Sequence, residues 1–133
     1  MGISAHSMVV MADGASKRAE DVAVDDTVFC PLSGDAIAIL RSLNGPGVGM
    51  VSFTAGALRI DVTGDHRVLT DNGFMPAHGI RVGAKLQTTE GILDCTEAGP
   101  LTGDFMVYDF TANTDAPAAY VNGFVLALDA TRR

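Results

Sequence analysis

Apolar residues along this chain fall in short runs, some continuous and some alternating with polar residues. They are separated by clusters of Gly, Asn, Asp and Pro. That period and punctuation predict short strands joined by tight turns. Residues 8–11 form an apolar run that ends at the turn signal Ala12-Asp13-Gly14. Runs at 27–32 and 36–43 are joined by Ser33-Gly34-Asp35, a hairpin connection, and Asn44-Gly45-Pro46-Gly47 predicts a second turn. Strands are expected at 48–54 and 57–62 around Ala55-Gly56, then at 67–70, 85–89, 91–95, 105–111 and 119–128. Helical turns are expected only at 19–22 and 76–80.

The pattern repeats within the chain. Met8-Val9-Val10-Met11-Ala12-Asp13-Gly14 leads to Ala19-Glu20-Asp21-Val22-Ala23-Val24-Asp25-Asp26-Thr27-Val28. Arg67-Val68-Leu69-Thr70-Asp71-Asn72-Gly73 leads to Ala77-His78-Gly79-Ile80-Arg81-Val82-Gly83-Ala84-Lys85-Leu86, an offset of about 58 residues with one gap. In both, a strand meets a Gly turn, a small residue precedes an aliphatic and a valine, and a two-residue turn feeds the next strand. Each half carries an apolar face that it cannot bury alone. The expected architecture is therefore all-β and compact, with two halves related by a pseudo-two-fold axis.

Composition narrows the picture further. A chain of 133 residues suffices for one domain, expected to span 1–133. With 47% apolar and 19% charged residues it can bury a core, and 15 glycines and 5 prolines favour many turns over a helical bundle. The net charge of −7 and the scattered basic residues argue against a nucleic-acid partner. No apolar run is long enough to span a bilayer, and the first residues do not form a signal-peptide pattern. Cys30 and Cys95 suit buried core thiols. No metal-ligand spacing is present, so neither metal nor cofactor is expected.

Three blocks, in order, carry a resemblance. The first is Val9-Val10-Met11-Ala12-Asp13-Gly14 followed by Ala19-Glu20-Asp21-Val22-Ala23-Val24-Asp25-Asp26-Thr27-Val28. The second is Val62-Thr63-Gly64-Asp65-His66-Arg67-Val68-Leu69-Thr70. The third is Val107-Tyr108-Asp109-Phe110-Thr111, then Tyr120-Val121-Asn122-Gly123-Phe124-Val125. Together they resemble the conserved blocks of Hint domains, the self-processing domains of inteins and Hedgehog proteins. Asp25 stands where that family prefers Gly. The resemblance implies a horseshoe-like Hint fold and cleavage of the domain's own polypeptide by an N–S or N–O acyl shift. The partner would be a flanking host polypeptide in cis, with an external nucleophile as a further acceptor, and the domain is expected to act as a monomer.

Such chemistry replaces a resonance-stabilised amide by a more reactive ester or thioester, so the departing amine must be protonated and the amide held for attack. By resemblance, His66 is the proton donor, Thr63 its positioning partner and Asp109 an acid that assists proton transfer. Spacing alone also allows Thr63-Gly64-Asp65-His66 to be a polar turn and Asp109 an outward carboxylate. Strand alternation places Tyr108 and Phe110 on one face and Asp109 on the other. His6 and His78 match no motif position and are expected at the surface.

The resemblance breaks at both ends. Counting back from Asp13-Gly14, the family's nucleophilic Cys or Ser falls at Gly2, which has no side chain. Ser4 would need a two-residue slip, and Ser7 matches a non-nucleophilic position. Either the nucleophile has been replaced or the domain is naturally inactive. If replaced, Gly2→Cys behind an upstream peptide should restore thiol-induced cleavage. The closing His-Asn pair falls at Ala127-Leu128, and a one-residue slip brings Asp129 to the Asn position. Asn-dependent splicing is therefore not expected, whereas N-terminal cleavage or acyl transfer is. The segment 87–104 is too short for a homing endonuclease. A non-catalytic β-rich binding module of the same architecture is the competing reading, and no motif of a conventional hydrolase is visible.

Overall fold

The structure, a computed structural model, describes residues 1–130. The first half of the chain contributes β1 (Ile3–Ser4), β2 (Met8–Val10), β3 (Ser16–Arg18), β4 (Thr27–Phe29), β5 (Ala36–Pro46), β6 (Met50–Ala55) and β7 (Leu58–Thr63). The second contributes β8 (Arg67–Thr70), β9 (Gly73–Pro76), β10 (Lys85–Thr88), β11 (Gly91–Pro100), β12 (Met106–Ala112), β13 (Ala118–Val121), β14 (Phe124–Ala127) and β15 (Asp129–Ala130). Two short 3-10 turns, Ala19–Asp21 and Ala77–Gly79, are the only helical elements among the described residues. The fold is all-β, and every pairing is antiparallel except β12 with β15.

The sequence repeat is a structural repeat. β2, β3, the first 3-10 turn, β4 and β5 follow in the same order as β8, β9, the second turn, β10 and β11. Each turn buries its alanine, Ala19 or Ala77, and closes with the amide of Val22 or Ile80 donating to that alanine's carbonyl. The two long strands then cross between halves. β5 pairs with β12 of the second half, and β11 pairs with β6 of the first. Neither half can bury its apolar face without the other.

One core results, built on Phe53, Phe110, Phe124, Ile39, Ile60 and Leu126. Phe53 from β6 meets the edge of Phe124 from β14, with ring centroids 5.0 Å apart, so this contact joins the halves.

Several boundaries differ from expectation for identifiable reasons. The run 119–128 is a hairpin, β13 and β14, not one strand. Asn122 (φ 49°) and Gly123 (φ 88°) both take left-handed backbone, which suits a two-residue hairpin turn. The expected turn at 44–47 is delayed, because Asn44, Gly45 and Pro46 continue β5 opposite Tyr108, Val107 and Met106. β1, β3, β9 and β15 have too few apolar residues to announce themselves. β1 and β15 exist because the longer strand β12 offers them a hydrogen-bonding edge, and β3 and β9 because the hairpin turns after β2 and β8 fold them back.

Truncating Phe124 to alanine removes a fully buried ring at the junction of the halves. It should cost about 3–5 kcal/mol, read as a lower urea midpoint with an unchanged slope.

Candidate functional site

β1 lies between β7 and β12. Ile3 pairs with Val62 on one side and Tyr108 on the other, and Ser4 pairs with Val107. Carried back one residue, this register sets Gly2 opposite Thr63 and Asp109. Cross-strand partners share a face, so Thr63, Gly2, Val107 and Asp109 line one side of a three-stranded surface.

Gly2 is held through both of its backbone groups, which belong to successive peptide units. Its N–H donates to Thr63 Oγ1 at 2.7 Å, and its carbonyl accepts from the Thr63 N–H at 2.9 Å. The Thr63 hydroxyl donates to Asp65 Oδ1 at 2.7 Å, and Asp65 Oδ2 lies 3.3 Å from the Met1 ammonium. That hydroxyl, more than any other group, holds the Asp65 carboxyl below the usual carboxylate range, and the ammonium adds to it. The strand reverses at this point because the His66 amide closes a turn on the Thr63 carbonyl at 3.0 Å. Gly64 sits in the turn with the Gly49 carbonyl oxygen and His78 Cβ each 3.1 Å from where a Cβ would stand. The segment expected either as a site or as a simple polar turn is thus a tight turn that presents Thr63 to the Gly2 peptide.

His66 is fully buried. Its Nε2 is 2.7 Å from the Ala127 carbonyl oxygen. A carbonyl can only accept, so Nε2 carries the proton and Nδ1 offers a lone pair. Nδ1 is buried without a hydrogen-bond partner in the structure. Burial lowers the imidazole pKa to about 4. At neutral pH His66 is therefore a neutral base anchored to the C-terminal strand β14, and it must first take a proton before it can donate one.

Asp109 is shifted the other way. Burial pushes its carboxyl up to about 7, assisted by a hydrogen bond with Asp129 and that residue's charge. The parallel pairing of Thr111 with Asp129 explains the meeting, because Asp109, Thr111 and Asp129 share one face of β12 and β15. Asp109 Oδ1 is buried and has no hydrogen-bond partner in the structure. Asp109 is half-buried, with this oxygen turned inward. Asp129 also lines a cleft whose walls carry Arg41, Leu43, Arg67 and Leu128.

The expectation that a cysteine fits at Gly2 meets an obstacle. A Cβ built there would stand 2.5 Å from Val107 Cγ2, 2.7 Å from Val107 Cβ and 3.2 Å from Thr63 Cγ2. Val107 Cβ is fixed to the strand, so a side chain at position 2 requires backbone movement. Ser4 is tied to Ser7 by a 2.6 Å contact between their hydroxyls. His6 and His78 are exposed and Cys30 and Cys95 buried. Sequence reasoning did not single out Val107 or Asp65. Asp65 lay inside the Thr63–His66 turn it had identified. Val107 gave no signal, because a strand valine is ordinary until its neighbour across the ladder is glycine.

His66 and Asp109 give opposite pH dependences. The His66 pKa is lowered, so its stabilisation is complete above about 6.5 and is lost as pH falls towards 4. The Asp109 pKa is raised, so its contribution is complete below 3.8 and is lost as pH rises through about 7. Between pH 4 and 6.5 the two slopes oppose each other. Asp109→Asn should unmask the histidine, so that stability climbs by about 3 kcal/mol across that window. His66→Gln should leave stability falling as pH rises towards 7. Urea midpoints across pH 4–8 would read both slopes.

No protein-family model matches the chain, and no curated protein matches it in sequence. Solved structures do match. The solution structure of a bacterial intein-like domain from Clostridium thermocellum is similar at a TM-score of 0.81 and 23% identity, over 95% of this chain and 97% of that one. The gp41-1 intein is similar at 0.80 and 17% identity, over 94% of this chain and 96% of that one. A DnaB intein from Synechocystis sp. PCC 6803 is similar at 0.77 and 18% identity, over 96% and 98%. The two-fold strand exchange and these likenesses, each spanning nearly the whole of both chains, give this protein the Hint-type fold of inteins and bacterial intein-like domains.

Proposed function

We propose that the chain is a single Hint-type self-processing domain. It activates the peptide bond between residue 1 and Gly2 of the polypeptide that carries it, and passes the upstream acyl group to an external nucleophile. The observation that carries this reading is the clamp on Gly2. Thr63 holds the N–H of the bond to be cleaved and also the Gly2 carbonyl in the next peptide unit, so the departing nitrogen is fixed before reaction begins. Asp109 stands opposite the same residue. The buried Nδ1 of His66 provides the base. It accepts the proton of the attacking group and returns it to the Gly2 nitrogen as the C–N bond breaks. Bond formation at the residue 1 carbonyl carbon and cleavage to nitrogen then balance with one transferred proton. Release of a downstream segment by Asn cyclisation is not part of the proposal, since Ala127 and Leu128 carry no cyclising amide.

The packing of Val107 against Gly2 favours an external acceptor over a lost internal thiol. It equally suits the competing reading of a non-catalytic module, and hydroxylamine separates the two. In the full chain extended by a short peptide ahead of Met1, hydroxylamine should release that peptide as a hydroxamate. Thr63→Val and His66→Gln should each slow release at least about tenfold. A folded extended chain that stays intact would favour the binding module.

Gly2→Cys alone should destabilise the domain by about 1–3 kcal/mol, in the range for overpacking. Adding Val107→Gly should recover part of that loss, as a double-mutant cycle on urea midpoints would show. In the extended chain, only the double variant should gain cleavage by dithiothreitol.

A further inference from the structure

Residue 1 is the acyl donor of the proposed reaction, and a cleft is already built around it. Met1 lines a space of about 550 Å³ together with Pro46, Val48, Val107, His78 and the turn at 63–65. Backbone hydrogen bonds join its walls. Gly49, in left-handed backbone (φ 66°), ends the link between β5 and β6, and its carbonyl accepts the Gly64 N–H at 2.8 Å. The Gly64 carbonyl in turn accepts the His78 N–H at 2.8 Å, and the Gly47 N–H donates to the Phe105 carbonyl at 2.7 Å. Walls bonded to one another in this way lose little freedom when a chain enters between them.

Two features of the cleft bear on the sequence it accepts. The Met1 side chain is only 17% exposed, so a charge on residue 1 would be taken out of water. Val48, 81% exposed, leaves apolar surface open on the same cleft. The second feature is Asp65. Its Oδ2 lies 3.3 Å from the Met1 nitrogen, its Oδ1 accepts the Thr63 hydroxyl, and that hydroxyl accepts the Gly2 N–H. One carboxylate thus connects the nitrogens on both sides of the carbonyl to be attacked. In a longer polypeptide the Met1 nitrogen is an uncharged amide. It can still donate to Oδ2, but the carboxylate has lost its counter-charge. Asp65 remains ionised, because the Thr63 hydroxyl is the main cause of its low pKa. It is the only carboxylate on the cleft walls among the described residues, and His78 is the only other titratable side chain there.

We infer that this cleft is the acyl-donor subsite, that it takes an upstream polypeptide with an uncharged apolar residue at position 1 and a Lys or Arg immediately ahead of it, and that Asp65 determines the second preference. The inference rests on the self-processing reading above and names the class of sequence that reading acts on. The Met1 ammonium marks where a positive charge is accommodated against Asp65. An acidic residue ahead of position 1 would meet the Asp65 carboxylate with no cation between them. Asp65 acts here by positioning and selecting the donor, and no proton transfer is assigned to it.

The test uses the full chain extended by a short peptide ahead of Met1, with Lys, Ala or Glu as the residue before Met1. Peptide release by hydroxylamine is timed by mass spectrometry at low ionic strength. Release should be about threefold faster with Lys than with Glu, with Ala between them, as suits an exposed ion pair. The difference should shrink in about 1 M salt. In Asp65→Asn, which keeps an acceptor for the Thr63 hydroxyl, the three sequences should release at one common rate. Met1→Leu should stay within about twofold of the parent, and Met1→Asp should slow release at least about tenfold. Urea midpoints check that each variant is folded, and they should rank Lys above Glu only while Asp65 is present. Equal release from the Lys and Glu chains, a preference that survives Asp65→Asn, or a folded Met1→Asp chain that releases at the parent rate overturns the inference and leaves the self-processing reading standing. If folded chains release nothing with any sequence ahead of Met1, both are overturned.

Discussion

Everything at this site depends on a glycine that has no room to be anything else. Gly2 sits between β7 and β12 with its amide and carbonyl both bonded to Thr63 and with Val107 packed where a side chain would begin. A β-strand alternates its faces, so fixing this one residue fixes which side of β1 meets Thr63 and Asp109 and which side enters the core. Ile3, the next residue, is fully buried against the opposite face. A slip of one residue would put Ile3 onto the polar site and Gly2 into the core, losing a large buried side chain and the amide clamp together. The close approach of Val107 is thus part of what holds the short strand β1 in register.

The two-fold architecture explains why the site lies where it does. Thr63 and His66 bracket the link between the halves, at the end of β7 and the start of β8. Asp109 comes from β12, which crosses over to pair with β5 of the first half. Ala127 and Asp129 come from the last strands, which return to β8 and β12. Residues distant in sequence converge because each half completes the other's sheet. A long-range exchange of this kind brings the beginning, the middle and the end of the chain to one face. The proposed action on a bond near the first residue, with groups from the middle and the last strands, depends on that convergence.

Much of the fold was legible because it rests on period and turn chemistry. The repeat, the two 3-10 turns and the strands at 67–70 and 85–89 follow from alternating apolar residues and Gly turns, which are local. The division of 119–128 also had a local signal in Asn122-Gly123, but a continuous apolar run masked it. The short strands β1 and β15 were not legible, since their existence depends on β7 and β12 far along the chain, and β3 was not because its three residues are all exposed. The site divides in the same way. Thr63 and His66 stand out by spacing and by resemblance. The contact of Asp129 with Asp109 and the wedge of Val107 against Gly2 depend on cross-strand register, which no local pattern encodes.

The electrostatics of the site follow from the cost of burying charge. A charged imidazole at the position of His66 would be taken out of water with a carbonyl on one nitrogen and no partner on the other, so burial favours the neutral ring. A charged Asp109 would face Asp129 with one oxygen unpartnered, so burial and the neighbouring acid favour the protonated form. The same desolvation therefore drives the base and the acid towards neutrality from opposite directions. At neutral pH this leaves a lone pair on His66, while Asp109, shifted up to about 7, exchanges its proton in that range. The surrounding strands hold both groups in place without an ion pair between them, so neither side chain needs a full charge to stay where it is.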